Sequence, residues 1–200
     1  MSYKRRDFLK ITGSLALTSL ATKEILSSIT DDKMKLKEFG LQLYSLRDDL
    51  LKGDPKEILK QVAAAGYKLI ESYEGAKGIF WGMSHTDFKK YMDDLGMKIV
   101  SSHCDIDKNF QEKVEQAAAI GMKYLLCPSI DAQKTADGYK KYAEKFNECG
   151  TICKKAGIRF GYHNHDHDFK IVDGQVAQDI YMENTDPSLV DFEMDIYWVV

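Results

Sequence analysis

Along the chain, short apolar runs alternate with longer segments whose apolar residues return every third or fourth position. The runs are Gly66-Tyr67-Lys68-Leu69-Ile70-Glu71, Gly96-Met97-Lys98-Ile99-Val100, Gly121-Met122-Lys123-Tyr124-Leu125-Leu126-Cys127 and Gly157-Ile158-Arg159-Phe160-Gly161-Tyr162-His163. Each follows a glycine suited to a helix C-cap, where φ is positive, and each reads as a strand buried on both faces. Between them, Ile58, Leu59, Val62 and Ala65 recur at helical spacing after the start signal Asp54-Pro55-Lys56-Glu57. Phe88, Tyr91, Met92 and Leu95 form a second stripe, and Tyr142, Phe146, Cys149 and Ile152 a third.

The glycines Gly66, Gly96, Gly121 and Gly157 fall 30, 25 and 36 residues apart, the repeat of a right-handed βαβ unit. Strands are expected near 39–44, 67–71, 97–103, 123–128, 158–163 and 190–195. After the first, Leu43-Tyr44-Ser45-Leu46-Arg47-Asp48 stands where a dinucleotide-binding sheet carries a glycine-rich phosphate loop. The prediction is therefore an α/β fold, a (β/α)8 TIM barrel. Eight units of roughly thirty residues would run to about residue 280, so some six βα units are expected in this chain, an incomplete barrel. Six strands alone leave two open sheet edges, an arrangement that leads either to aggregation or to pairing with another chain, with a homo-oligomer as one such outcome.

Residues 1–34 read as a separate segment. Lys4-Arg5-Arg6 followed by an apolar run from Ile11 to Ala21 is the pattern of a twin-arginine export signal, implying a periplasmic protein; the barrel domain is then 35–200. That run is half the roughly 20 residues of a membrane span, so no stable span is expected. Twenty-eight basic against 31 acidic residues, with no basic stripe, argue against nucleic acid as a partner. Cys104, Cys127, Cys149 and Cys153 have no paired C-x-x-C spacing and read as free, buried thiols.

In a barrel the chemistry lies at the C-terminal ends of the strands. Those ends carry Gln42 and Tyr44, Glu71, His103, Ser129, His163-Asn164-His165 and Asp195. Four of the five histidines (His103, His163, His165 and His167) stand at or just beyond them, which points to a metal or proton-transfer site rather than scattered structural rings. His163 and His165, two apart, face the barrel mouth together while Asn164 points away. Glu71 and His103 read either as substrate-binding groups or as polar support behind the site. Trp198 and Tyr162 read either as apolar surface for a sugar or, the commoner fate of such rings, as structural packing.

The segments Gln42-Leu43-Tyr44-Ser45-Leu46-Arg47-Asp48, Gly66–Glu71, Tyr162-His163-Asn164-His165-Asp166-His167-Asp168-Phe169 and Phe192-Glu193-Met194-Asp195-Ile196-Tyr197-Trp198-Val199 resemble the sugar phosphate isomerase/epimerase group of the xylose isomerase-like TIM barrels. The resemblance implies one divalent metal, Mn²⁺ first with Zn²⁺, Co²⁺ or Fe²⁺ as alternatives. It implies metal ligands at Asp195 and at His163, which stands where many relatives have a Glu. It also implies catalytic roles for His165 and Asp168, with Glu71, His103 and Trp198 toward the substrate. Trp198 replaces a second His of the apurinic endonucleases, so DNA repair is not expected. The implied partner is a small-molecule sugar or keto-sugar, and the implied reaction is isomerisation or epimerisation by proton transfer next to a carbonyl. A keto-sugar lyase or dehydratase on the same site, and an exported sugar-binding protein without turnover, are the alternatives.

Overall fold

A computed structural model describes residues 39–199. The export signal expected at 1–34 lies outside the described residues; within them, no helix is long and apolar enough to cross a membrane. Six strands make one parallel sheet: β1 (Gly40–Gln42), β2 (Leu69–Tyr73), β3 (Lys98–His103), β4 (Tyr124–Cys127), β5 (Arg159–His163) and β8 (Val190–Glu193). A small antiparallel hairpin, β6 (Ile171–Val172) and β7 (Gln175–Val176), stands apart from it. The helices are α1 (Arg47–Lys52), α2 (Pro55–Ala64), α3 (His85–Asp94), α4 (Phe110–Ala119), α5 (Ala136–Lys155), α6 (Ala177–Asn184) and the short α7 (Ile196–Val199).

The strand order decides the architecture. After the first, each strand of the sheet pairs with the sheet strand before it, β1-β2-β3-β4-β5-β8, with no reversal of direction. A doubly wound sheet reverses at a switch point; a barrel does not. The described residues thus supply six of the eight βα units of a TIM barrel.

Local chemistry accounts for the helix boundaries. Asp54 accepts from Lys56 N at 3.0 Å and Pro55 opens α2. The expected return bond from Glu57 is replaced by a 2.6 Å ion pair with Lys60, one turn on. Ser84 accepts from Asp87 N at 3.1 Å and donates to Asp87 Oδ2 at 2.7 Å, fixing the start of α3. Gly66, Gly96, Gly121 and Gly157 all have φ between 68° and 95°, as the C-cap pattern requires.

The core lies between the sheet and the helices. Phe160 and Tyr162 point out of β5 onto α5, where Phe146 stacks on Tyr162 at 4.9 Å between ring centroids; all three are fully buried. Alternate residues of the same strand therefore face inward, and His163 among them reaches the barrel interior. The four cysteines are free and buried, and burial pushes the Cys127 and Cys153 thiols up to about 12.

Candidate active site

The C-terminal ends of the strands open into a cleft of about 870 Å³. Its floor is a row of polar side chains drawn from five strands. Gln42 on β1 donates to Glu71 Oε1 on β2 at 2.8 Å, and Ser101 on β3 donates to Glu71 Oε2 at 2.6 Å. The register shift between Ile70 and Glu71 brings Glu71 opposite Ser101. His103 Nε2 lies 3.4 Å from Glu71 Oε1 and 2.8 Å from Glu193 Oε2, and His163 Nδ1 lies 2.7 Å from that same Glu193 oxygen.

The His103–Glu193 contact joins β3 to β8, three strand spacings apart. A flat sheet would separate those strands by about 14 Å at roughly 4.8 Å per spacing. Curvature brings them together, so the contact is a direct mark of the barrel.

Charge is divided unevenly along this row. Burial disfavours ionised Glu193, but hydrogen bonds from His103 and His163 outweigh it and hold the carboxyl well below its ordinary range. Burial pushes Glu71 the other way, upward, helped by the Glu193 charge and only partly offset by His103, Ser101 and Gln42. His163 is raised: burial would lower it, and the bond to Glu193 with that group's charge prevails. His165 is lowered by burial and by the neighbouring His163 and His167 charges.

These shifts set a pH response. The depressed Glu193 contributes stability above the ordinary carboxyl value of 4.5 and loses it as the pH falls below that value. The raised Glu71 contributes at acid pH and loses its contribution as the pH rises through its own value. In metal-free protein, unfolding free energy is expected to drop below pH 4.5, and Glu193→Gln to flatten that drop, as read by urea titrations above and below it. A slope identical in the variant would mean that Glu193 is not the group responsible.

Most of the residues expected from the sequence meet here. His103, His163, His165, Asp195 and Trp198 line the cleft, with Glu71 beside them on the floor. The His163 and His165 rings are 5.0 Å apart, and Trp198 lies 5.6 Å from the ring of His165. Asn164 turns away and binds Asp195 through both backbone groups, accepting from Asp195 N at 2.9 Å and donating to Asp195 O at 3.1 Å. Asp168 is not brought to the cleft. It is fully buried beneath, accepting from Tyr162 Oη at 2.9 and 3.0 Å and from His165 N at 2.7 Å, and burial raises its pKa. Of the two readings of Tyr162 the structure has the packing one, since its ring is in the core. Sequence reasoning passed over Glu193, although its position two residues before Asp195 on an expected strand was the available signal.

The donor set suits a divalent cation in two ways. His163 Nδ1–H donates a hydrogen bond to Glu193, since a carboxylate only accepts. In the neutral ring Nε2 then presents a lone pair 3.7 Å from Asp195 Oδ2, two acceptors facing one another that a cation would satisfy. His103, His163 and Glu193 also offer one ligand atom each within 4.8 Å of one another. The imidazole and carboxylate mixture fits Mn²⁺, Fe²⁺, Co²⁺ or Zn²⁺.

The sequence model of the xylose isomerase-like TIM barrels matches residues 59–199. The chain belongs to that family. Two solved structures, both described as sugar phosphate isomerase/epimerases from Parabacteroides distasonis, are similar to it. One is 34% identical with a TM-score of 0.69, over 84% of this chain and 68% of its own. The other is 33% identical with a TM-score of 0.72, over 81% of this chain and 70% of its own. A D-psicose 3-epimerase from Clostridium cellulolyticum, solved with D-tagatose, shares the fold at 10% identity and a TM-score of 0.57, over 80% of this chain and 64% of its own. No curated protein matches the sequence.

Proposed function

We propose that this member of the xylose isomerase-like family is a divalent-metal-dependent sugar isomerase or epimerase that moves a proton on the carbon beside a sugar carbonyl. The observation that carries the reading is the orientation of His163: its Nδ1 is committed to Glu193 at 2.7 Å, and its Nε2 is turned to Asp195. His163 and Asp195 are the proposed holders of the metal, Mn²⁺ before Zn²⁺, Co²⁺ or Fe²⁺, with Glu193 orienting the ring. When bound, the metal supplies positive charge that polarises the carbonyl and adjacent hydroxyl oxygens of the sugar.

The remaining chemistry belongs to side chains. His165 is the proposed base. Its lowered pKa favours the neutral ring, and that ring lines the cleft. It takes the proton from carbon; return to the same carbon from the opposite face, delivered by a second donor on that side, gives an epimer, and return to the neighbouring carbon, with a hydroxyl proton passing to the carbonyl oxygen, gives an isomer. Asp168 acts from below, holding the His165 backbone nitrogen. Trp198 packs against the His165 ring at 5.6 Å between ring centroids and supports its orientation in the cleft.

The test is hydrogen exchange. With Mn²⁺, the chain is expected to exchange deuterium from D₂O into the carbon beside the carbonyl of D-fructose or D-tagatose, followed by NMR. The exchange should vanish with EDTA and fall about 100-fold or more in His165→Ala. Bound metal with no exchange in either ketose would leave a sugar-binding protein without turnover.

A further inference from the structure

We infer that Asn164 is a positioning residue which, together with the Tyr197 backbone N–H, makes Asp195 a one-oxygen ligand and so sets the site against Ca²⁺. This rests on the assignment of the metal to His163 and Asp195 proposed above, and it adds which oxygen is offered and what holds it.

The ladder between β5 and β8 ends at the pair His163 and Glu193. One residue further on, a side chain takes over from the backbone. Asn164 is only 4% exposed, and its carboxamide carries the same acceptor and donor as a peptide group. It accepts from Asp195 N at 2.9 Å and donates to Asp195 O at 3.1 Å, a pairing that settles which end of the amide is oxygen. Trp198 N also donates to Asp195 O, at 3.3 Å. Both main-chain groups of Asp195 are thus clamped to the residue that follows His163.

The carboxylate is divided at the same place. Oδ1 accepts from Tyr197 N at 2.9 Å in the first turn of α7, and Oδ2 faces His163 Nε2 at 3.7 Å. Among the described residues, Oδ2 is the polar atom of Asp195 that no hydrogen bond engages. Offering both oxygens to one ion would require the bond to Tyr197 to break and the carboxylate to turn on a backbone held at both ends. Cations differ in what they ask of such a group. Ca²⁺ takes roughly six to eight oxygen ligands and readily uses both oxygens of a carboxylate. Mn²⁺, Co²⁺ and Zn²⁺ accept a single carboxylate oxygen beside an imidazole. The same His and Asp on a loose backbone would leave Ca²⁺ a two-oxygen partner; the clamp removes it.

Mn²⁺ binding is to be read on the full chain by electron paramagnetic resonance of the free ion, and Ca²⁺ binding by displacement of Mn²⁺. The wild-type chain is expected to prefer Mn²⁺ by about 100-fold or more. Asn164→Ala is expected to weaken Mn²⁺ about tenfold and Ca²⁺ by less than about twofold, so the preference itself falls. Tyr197→Pro removes the N–H bound to Oδ1 at a position 72% exposed, in a first helical turn where proline is tolerated. It is expected to lower the preference about threefold or more, and it decides alone if Asn164→Ala does not fold. An unchanged ratio of the two affinities in a folded Asn164→Ala, whatever its Tm, reduces Asn164 to a stabilising role and overturns its positioning one. A wild-type chain that binds the two ions alike overturns the one-oxygen assignment while leaving the metal reading in place. A wild-type chain without affinity for Mn²⁺, or undiminished Mn²⁺ binding in Asp195→Asn, is the separate failure of the proposed function and takes this inference with it.

Discussion

Asp195→Asn and His163→Ala are each expected to remove bound Mn²⁺ from the purified chain, by elemental analysis, while Glu193→Gln retains it with affinity lower by about 10–100-fold. The ordering follows from the geometry at His163. Asp195 faces its free Nε2 at 3.7 Å, whereas Glu193 occupies Nδ1 at 2.7 Å and acts by fixing which nitrogen carries the proton. His103→Ala should change metal affinity little, because His103 reaches the site through Glu193. The converse result, with Glu193→Gln and His103→Ala losing the metal and Asp195→Asn keeping it, would move the ion to the cluster of His103, His163 and Glu193. In either case the proton-exchange reaction should fall in step with metal occupancy.

Gly150→Ala is expected to lower the unfolding free energy by about 2–3 kcal/mol. In the middle of a helix such a change ordinarily stabilises by about 0.5–1 kcal/mol. Here an added Cβ would lie 2.6 Å from the Leu189 carbonyl oxygen and 2.8 Å from Leu189 Cβ. The oxygen is backbone at the entry to β8, so relief requires moving α5 from the strand that carries Glu193. Gly138→Ala, near the start of the same helix, is the control. Its Cβ would lie 2.9 Å from Gln133 Cβ, so relief requires a shift of the loop before the helix but leaves the sheet in place, and its expected cost is about 1 kcal/mol, below that of Gly150→Ala. Thermal and urea unfolding of the two variants gives the comparison; equal stabilities would show that α5 and β8 have slack. If they have none, Gly150→Ala should weaken metal binding as well.

Much of the barrel could be read from the chain because its signals are local. A glycine that closes a helix and the apolar run after it lie within a few residues of one another, so the strand at 97–103 was expected almost where 98–103 is found. The sixth strand ends two residues early for a reason of longer range. Asn164 binds both backbone groups of Asp195, and Asp195 Oδ1 accepts from Tyr197 N at 2.9 Å, turning the chain into α7. The histidines of the site announced themselves by clustering at strand ends. Glu193 did not, because a carboxylate inside an apolar run gains its meaning only from His103 and His163, which lie 90 and 30 residues away. Asp168 shows the opposite difficulty: its motif suggests a reacting group, but Tyr162, six residues earlier, engages both of its oxygens in the core.

The strand order bears on how the molecule is made. Because each strand bonds to the one before it, the sheet can grow along a single edge as the chain leaves the ribosome, each step closing a short loop. The tie between His103 and Glu193, 90 residues apart, must wait for the last strand of this sheet. A nascent chain that has reached only β5 carries both imidazoles but lacks the carboxylate that orients them. The row of polar side chains on the cleft floor is therefore assembled only when β8 docks, and nothing that depends on it can form earlier in synthesis.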